Sequence, residues 1–476
     1  MFYKSTRGDL EVSFCDSVLW GLTPEGGLIV PKNFPRYSKE RLNLMKNMNY
    51  NDLALNIMTD FIDDIPKSDL KVLIDKSYSK KLFGSGAITP VTKIGNDEYI
   101  LELYNGPTLA FKDVALQFLG NVFEYVLDKN KSTTNILTAT SGDTGSAAIH
   151  GVKGKNRLRI FVLTPEGRMS KFQTAQMYSV IDKGVFNIAI NGTFDDCQDM
   201  VKKVSEDVNF REKYHLGYMN SINWTRILAQ IVYYAKGVFE VQKKNNLALD
   251  KEVDVAVPTG NFGDILAGYY AKKIGIPIGK LILSTNENNV LDIFFKKGIY
   301  KIRNKEDVIV TDSPSMDITS ASNFERLIYD VVDQDPKIVK DLWAKIKSEK
   351  FFDISKTKYF DNVKKTGIVS GSSNKKQRFA TIKNIYDKTG IIIDPHTANG
   401  VFCAQEYKRS KVPVLCLATA SPVKFEESIV EALGKVNLNR PKEYKDIEKK
   451  KQKFIKMDRN DLNLLKDFVA KHSIAD

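Results

Sequence analysis

From about Tyr99 onward, short runs of β-branched and aliphatic residues alternate with longer stretches of helical periodicity. This alternation restricts the fold more than any other feature, because strands joined by helices form parallel sheets covered by those helices. The runs predict strands at 135–139, 159–163, 185–190, 253–257, 281–284, 391–393 and 412–418. Glycine-rich or polar loops follow several of them, at the carboxyl ends of strands where open α/β sheets bind ligands. The first 94 residues have a different texture. Leu53, Ile57 and Phe61 recur at four-residue intervals, as on one helix face, so a separate, mainly helical N-terminal lobe is expected. A chain of 476 residues exceeds one ordinary core, which agrees with several lobes.

Composition removes several function classes. No apolar run approaches the roughly 18 residues a membrane helix needs. The opening MFYKSTRGDLEV lacks the apolar core of a signal peptide. Cys15, Cys197, Cys403 and Cys416 lie far apart without CxxC spacing, which suits reduced thiols in a cytoplasmic protein. His150, His215, His396 and His472 show no paired-ligand spacing, so no metal site is expected. The net charge of +13 is dispersed, and it reads either as compositional drift or as help in attracting an anionic small molecule. The run KKKQK at 449–453 admits a nucleic-acid contact or a solvated helix face. No arginine-rich stripe or RNP-like aromatic pattern supports the former, and no nucleic-acid partner is expected.

One lysine stands out. Lys112 ends the turn-prone GPTLAFK and precedes Val114, Leu116, Phe118 and Leu119, so it sits at the mouth of an apolar helix. A lysine there loses solvation, which lowers its pKa toward what a Schiff base or proton shuttle needs. Its stem could equally lie over apolar neighbours with the amine in water. Three loops share its character. TSGDTGSAA, with Ser141, Gly142, Asp143 and Thr144, follows a strand and opens a helix, as an anion cradle or as an ordinary helix cap on Ser141 or Asp143. PTGNFGD, with Gly260, Asn261, Phe262, Gly263 and Asp264, has the same strand–loop–helix frame. It is neither a GK[ST] phosphate loop nor GxGxxG. In the third, Thr419 offers a hydroxyl that could face a pyridine nitrogen without protonating it.

GPTLAFKD, SGDTGSAA, PTGNFGD, the segments SPSMDI and SNFER at 313–326, STRG, PEGGLIVP and the TAxPxKF pattern of Thr419 to Phe425 together resemble the threonine synthase family, in its bacterial and fungal branch with an extra N-terminal domain. The resemblance runs from residue 3 to about 425. It implies a fold type II pyridoxal-phosphate (PLP) enzyme, an α/β protein like the tryptophan synthase β chain, with a two-lobed catalytic core of parallel sheets. On that pattern the chain divides into an N-terminal domain at 1–94, a catalytic region at 95–435 with a smaller lobe nested at about 113–220, and a basic helical tail at 436–476. Lys112 would hold the cofactor. Gly260, Asn261, Phe262, Gly263 and Asp264 would receive its phosphate, and Thr419 would meet its pyridine nitrogen. Ser141, Gly142, Asp143 and Thr144 would face the substrate, and Asn323 and Arg326 would bind the substrate phosphate, where a planar guanidinium suits phosphate oxygens.

The implied reaction converts O-phospho-L-homoserine and water to L-threonine and phosphate, catalysed by a monomer. The sequence departs from the family at Ser421, where many members carry histidine; serine cannot titrate near neutrality. Within the enzyme class, the competing reading is a PLP phospholyase or dehydratase releasing 2-oxobutyrate.

Overall fold

The computed structural model describes residues 1–140 and 142–474. Two parallel sheets organise it, as the alternation predicts. The larger has six strands in the order Ile368–Ser372, Ile278–Thr285, Val253–Pro258, Val414–Ala418, Glu98–Glu102, Val91–Gly95. All neighbours run parallel except the edge strand Val91–Gly95. The smaller lobe has five parallel strands in the order Ile455–Asp458, Val185–Asn191, Leu158–Pro165, Thr134–Ala139, Leu216–Gly217. Central strands such as VDVAVP are buried at every position, because helices cover both faces of a parallel sheet.

Several expectations change. Residues 391–393 are not a strand but the link between the helices Lys375–Thr389 and Pro395–Glu406. Left-handed Gly390 ends the first helix and Asp394 caps the second, which leaves three isoleucines between two stops and no sheet edge to join. The N-terminal lobe, expected to be mainly helical, has five helices and also a small antiparallel sheet of Tyr3–Ser5, Glu11–Val12 and Ile29–Pro31. The edge strand Val91–Gly95 of the large sheet straddles the boundary expected at residue 94. In the basic tail the lysines at 449–451 and 453 are exposed, while the segment after them packs on the small lobe. Ile455–Asp458 extends the small sheet, and the helix Leu462–His472 buries Leu465 and Val469.

The N-terminal lobe shares one core with the large lobe. Tyr3, Phe34 and Phe61 pack around Trp224 and Tyr270, with Tyr3 and Trp224 ring centres 5.9 Å apart. A second clasp is polar. Thr6 and Arg7 of STRG donate to the Glu325 carboxylate, Arg7 through two nitrogens at 2.9 and 2.5 Å. The adjacent Arg326 donates to the carbonyl of Ile29 in PEGGLIVP. Three of the motifs that mark this chain therefore hold one another.

Candidate active site

Lys112 is the first residue of the helix Lys112–Lys129, and its position follows from the turn before it. Asp113 accepts from the Thr108 amide and hydroxyl at 2.7 Å each, and Leu109 takes a left-handed φ of 58°. The turn then pairs with the third loop. The Phe111 amide donates to Thr419 O at 2.8 Å and the Ser421 amide donates to Leu109 O at 3.0 Å. Lysine and threonine, some 300 residues apart in sequence, are thus set side by side by backbone hydrogen bonds. Lys424 reinforces the junction, donating to Thr108 O at 2.9 Å.

Lys112 lines a cleft together with Thr144, Gly260–Asp264, Asn323 and Thr419. The lysine, Thr144 and the second and third loops therefore meet in one place. Burial pushes the Lys112 amine below its ordinary pKa, and Lys424 and Arg226 push the same way against the opposing pull of Asp143. Ser141 lies outside the described residues. Gly142 has a φ of 143°, and a Cβ there would sit 2.7 Å from Gln173, so the loop is closed to other residues.

Asp143 does not cap this helix, although one reading of the loop expects it to; the Thr140 hydroxyl accepts from the amides of Gly142 and Gly145. Asp143 is turned toward the lysines. Lys424 lies 2.6 Å from its Oδ1, Lys112 lies 3.4 Å from its Oδ2, and Gln173 and Ser315 also donate to it. Burial alone would raise this carboxyl, but the two ammonium groups hold it well below its ordinary value.

The helix Gly263–Lys273 begins at the second loop with no side-chain cap, after Phe262 in the left-handed region at φ 66°. Its first amides are thus available to an anion, and the helix dipole favours one there. Gly260 is required by close approach, since a Cβ would meet Ser315 O at 2.5 Å. Asp264, at the start of that helix, is held by two tyrosines. Its Oδ1 accepts from Tyr233 and Tyr234 at 2.6 and 2.9 Å, and burial pushes its carboxyl up to about 6.

Asn323 and Arg326 need correction. Arg326 is fully buried and does not line the cleft. Its Nε, Nη1 and Nη2 donate to Ile29 O, Asn323 Oδ1 and Ile222 O. A fork occupied by the protein is not free to grip a ligand. Asn323 reaches the cleft, but its Nδ2 donates to Ser221 O and Asn261 O, bracing the second loop.

Five lining or adjacent groups escaped the sequence reading: Arg226, Gln230, Ser315, His396 and Lys424. Arg226 and Gln230 lie one turn apart on the helix Trp224–Lys244, and both line the cleft. His396 Nδ1 lies 2.7 Å from Asp394, and Nε2 accepts from the Ser315 amide at 3.1 Å, so the ring proton faces Asp394. The imidazole therefore reaches the cleft from the helix Pro395–Glu406, whereas Ser421 lies behind the wall. Lys424 and Ser315 carried a sequence signal, through their places in TAxPxKF and SPSMDI.

The chain is similar to proteins of one family from end to end. Residues 2–78 match the family model described as threonine synthase N terminus, and residues 397–469 match that described as threonine synthase, C-terminal. A threonine synthase of Methylobacillus glycogenes is 48% identical over 480 residues, covering 99% of this chain and 100% of that protein. The crystal structure of PLP-bound threonine synthase from Brucella melitensis superposes with a TM-score of 0.94 at 38% identity, covering 100% of both chains. That of the yeast threonine synthase does so with a TM-score of 0.92 at 38% identity, covering 99% of this chain and 98% of that one.

Proposed function

The chain belongs to the threonine synthase family, and from that premise we propose that Lys112, Asp143, Thr419 and the Gly260–Asp264 loop carry its reaction. The enzyme is a PLP-dependent lyase that turns O-phospho-L-homoserine and water into L-threonine and phosphate. The observation that carries the assignment is the buried Lys112 amine, lowered in basicity, facing an uncapped helix start across one cleft. These residues fit PLP: an amine for its aldehyde carbon, free amides for its phosphate, and a neutral hydroxyl at Thr419 for its ring nitrogen.

When bound, the cofactor supplies an electron sink for carbanion character next to the substrate amine. The protein supplies the proton transfers. Lys112 Nζ, whose burial favours its uncharged form, moves one proton at a time. It would take the α-proton of the substrate, give it up to the conjugated system that the cofactor supplies, and only then take a β-proton as phosphate leaves the γ-carbon. It returns a proton at the γ-carbon before water adds at the β-carbon. Steps of this kind each contribute about 10²–10⁴-fold. Asp143 faces Lys112 at 3.4 Å and takes up the positive charge whenever that amine is protonated. Thr419 cannot protonate the ring nitrogen, which limits charge build-up there and favours elimination.

Incubation with phosphohomoserine, followed by quantifying products, tests the reading. Threonine and phosphate in equal amounts are expected; 2-oxobutyrate with ammonia would overturn it in favour of a phospholyase.

A further inference from the structure

Three arginines of this protein are at most 4% exposed: Arg226, Arg326 and Arg378. Two are neutralised or saturated internally. Arg378 is paired with Glu287 and Asp312, and Arg326 donates three hydrogen bonds to the protein. Arg226 differs from both. Its Nε and Nη1 are buried and have no partner, and one turn along the same face Gln230 Oε1 has none either. An isolated buried charge is expensive, and proteins keep one only where a counter-charge or metal meets it. No carboxylate among the described residues forms an ion pair with Arg226, and the anion that balances it must come from outside the chain.

The position says which anion. Arg226 lines the same cleft as Gly260, Asn261, Phe262 and Gly263. The next residue, Ile227, lies 3.6 Å from where a Cβ of Gly263 would be, so the arginine stands beside the uncapped helix start. A guanidinium and a row of free amides converging on one space are complementary to a tetrahedral dianion.

We infer that Arg226 is a phosphate-binding residue, gripping a phosphate monoester dianion between its guanidinium and the Gly260–Gly263 loop. Its place beside the loop identifies that dianion with the phosphate of PLP; the phosphate of the substrate has the same chemistry. Arg326 acts at one remove, fixing Ile222 O just before the helix that carries Arg226. This inference rests on the PLP-dependent reading, but its test needs no turnover.

The experiment measures the PLP dissociation constant of apoenzyme by absorbance titration, and apoenzyme melting with and without inorganic phosphate, for wild type, Arg226→Gln and Arg226→Lys. Arg226→Gln should weaken PLP at least roughly tenfold and abolish the phosphate-induced rise in Tm. Its own ligand-free Tm should stay level or rise, because an unpaired buried charge has gone. Arg226→Lys, which keeps charge but loses the fork, should fall between. A variant that binds PLP normally but shows a tenfold higher KM for phosphohomoserine would assign the same contact to the substrate phosphate. Unchanged PLP affinity, phosphate response and KM would overturn the inference. So would a fall in ligand-free Tm with PLP affinity intact, the mark of a structural arginine. Should Arg226→Gln not fold, the outcomes for Arg226→Lys decide the matter on the same criteria.

Discussion

On one face of the cleft the charges are closed among themselves: Asp143 takes Lys424, Lys112, Gln173 and Ser315. Elsewhere along the cleft, on a second face, Arg226 keeps two unpartnered nitrogens and the Gly263–Lys273 helix starts uncapped. The two faces perform different tasks. Proton transfer needs groups already held in place with their pKa values set, so the first face is complete without ligand. Anion binding needs donors whose satisfaction is deferred, so the second is complete only with one. Lys112 stands between them, held by the first face and open to the ligand of the second.

The largest effect tests the lysine on which both faces converge. Lys112→Ala should cut threonine formation by at least about 10³-fold and remove the visible absorbance of lysine-bound PLP. Normal turnover in that variant would dismantle the assignment. Next comes the closed face. Asp143→Asn leaves Lys424 buried without its partner and should cost about 3–5 kcal/mol in denaturant unfolding. Adding Lys424→Met should recover much of that loss, and strict additivity of the two changes would show that the pair is not coupled.

The faces should also respond oppositely to pH. Asp143 is held below its ordinary value, so its contribution is present above that value and disappears as pH falls through the folded pKa. Asp264 is raised from 3.8 to about 6. Its folded state retains a proton that the unfolded chain releases, so its contribution is complete below pH 3.8 and is lost as pH rises through about 6. In ligand-free protein the stability of Asp264→Asn relative to wild type should therefore rise by about 2 kcal/mol between pH 4 and 7. A difference that does not vary with pH would contradict this.

The smallest effect separates the two arginines. Arg326→Met strands buried carbonyls and should destabilise ligand-free protein by about 1–3 kcal/mol, where Arg226→Gln should not. If Arg326→Met instead left stability intact and raised only the KM for phosphohomoserine, the original phosphate assignment of Arg326 would return.

Much of the fold was legible because its signals are local. Strands buried on both faces read as continuous aliphatic runs, and the loops after them announce themselves by glycine and hydroxyl residues. The isoleucines at 391–393 show the limit, since the same run also serves as a core-facing link when helix caps close on both sides. Within the site, Lys112, Thr419 and the Gly260 loop carried recognisable patterns. Arg226 did not, because NWTRILAQ looks like any amphipathic helix start. His396 and Ser315 reach the cleft from elements more than 200 residues beyond Lys112.

What the sequence determined by itself is the class of parts: a parallel α/β core, a lysine at a helix mouth, glycine loops able to admit an anion, and the motifs of a single family. Tertiary structure decided which parts face the ligand. Arg226 and Arg326 are the same residue type, and the family resemblance favoured Arg326 through its place in SNFER, because a motif places a residue without showing what its donors meet. In the fold Arg326 meets three acceptors of the protein, while Arg226 has two nitrogens that meet none. The partners that make this difference come from segments distant in sequence, and only chain packing brings them into or out of reach.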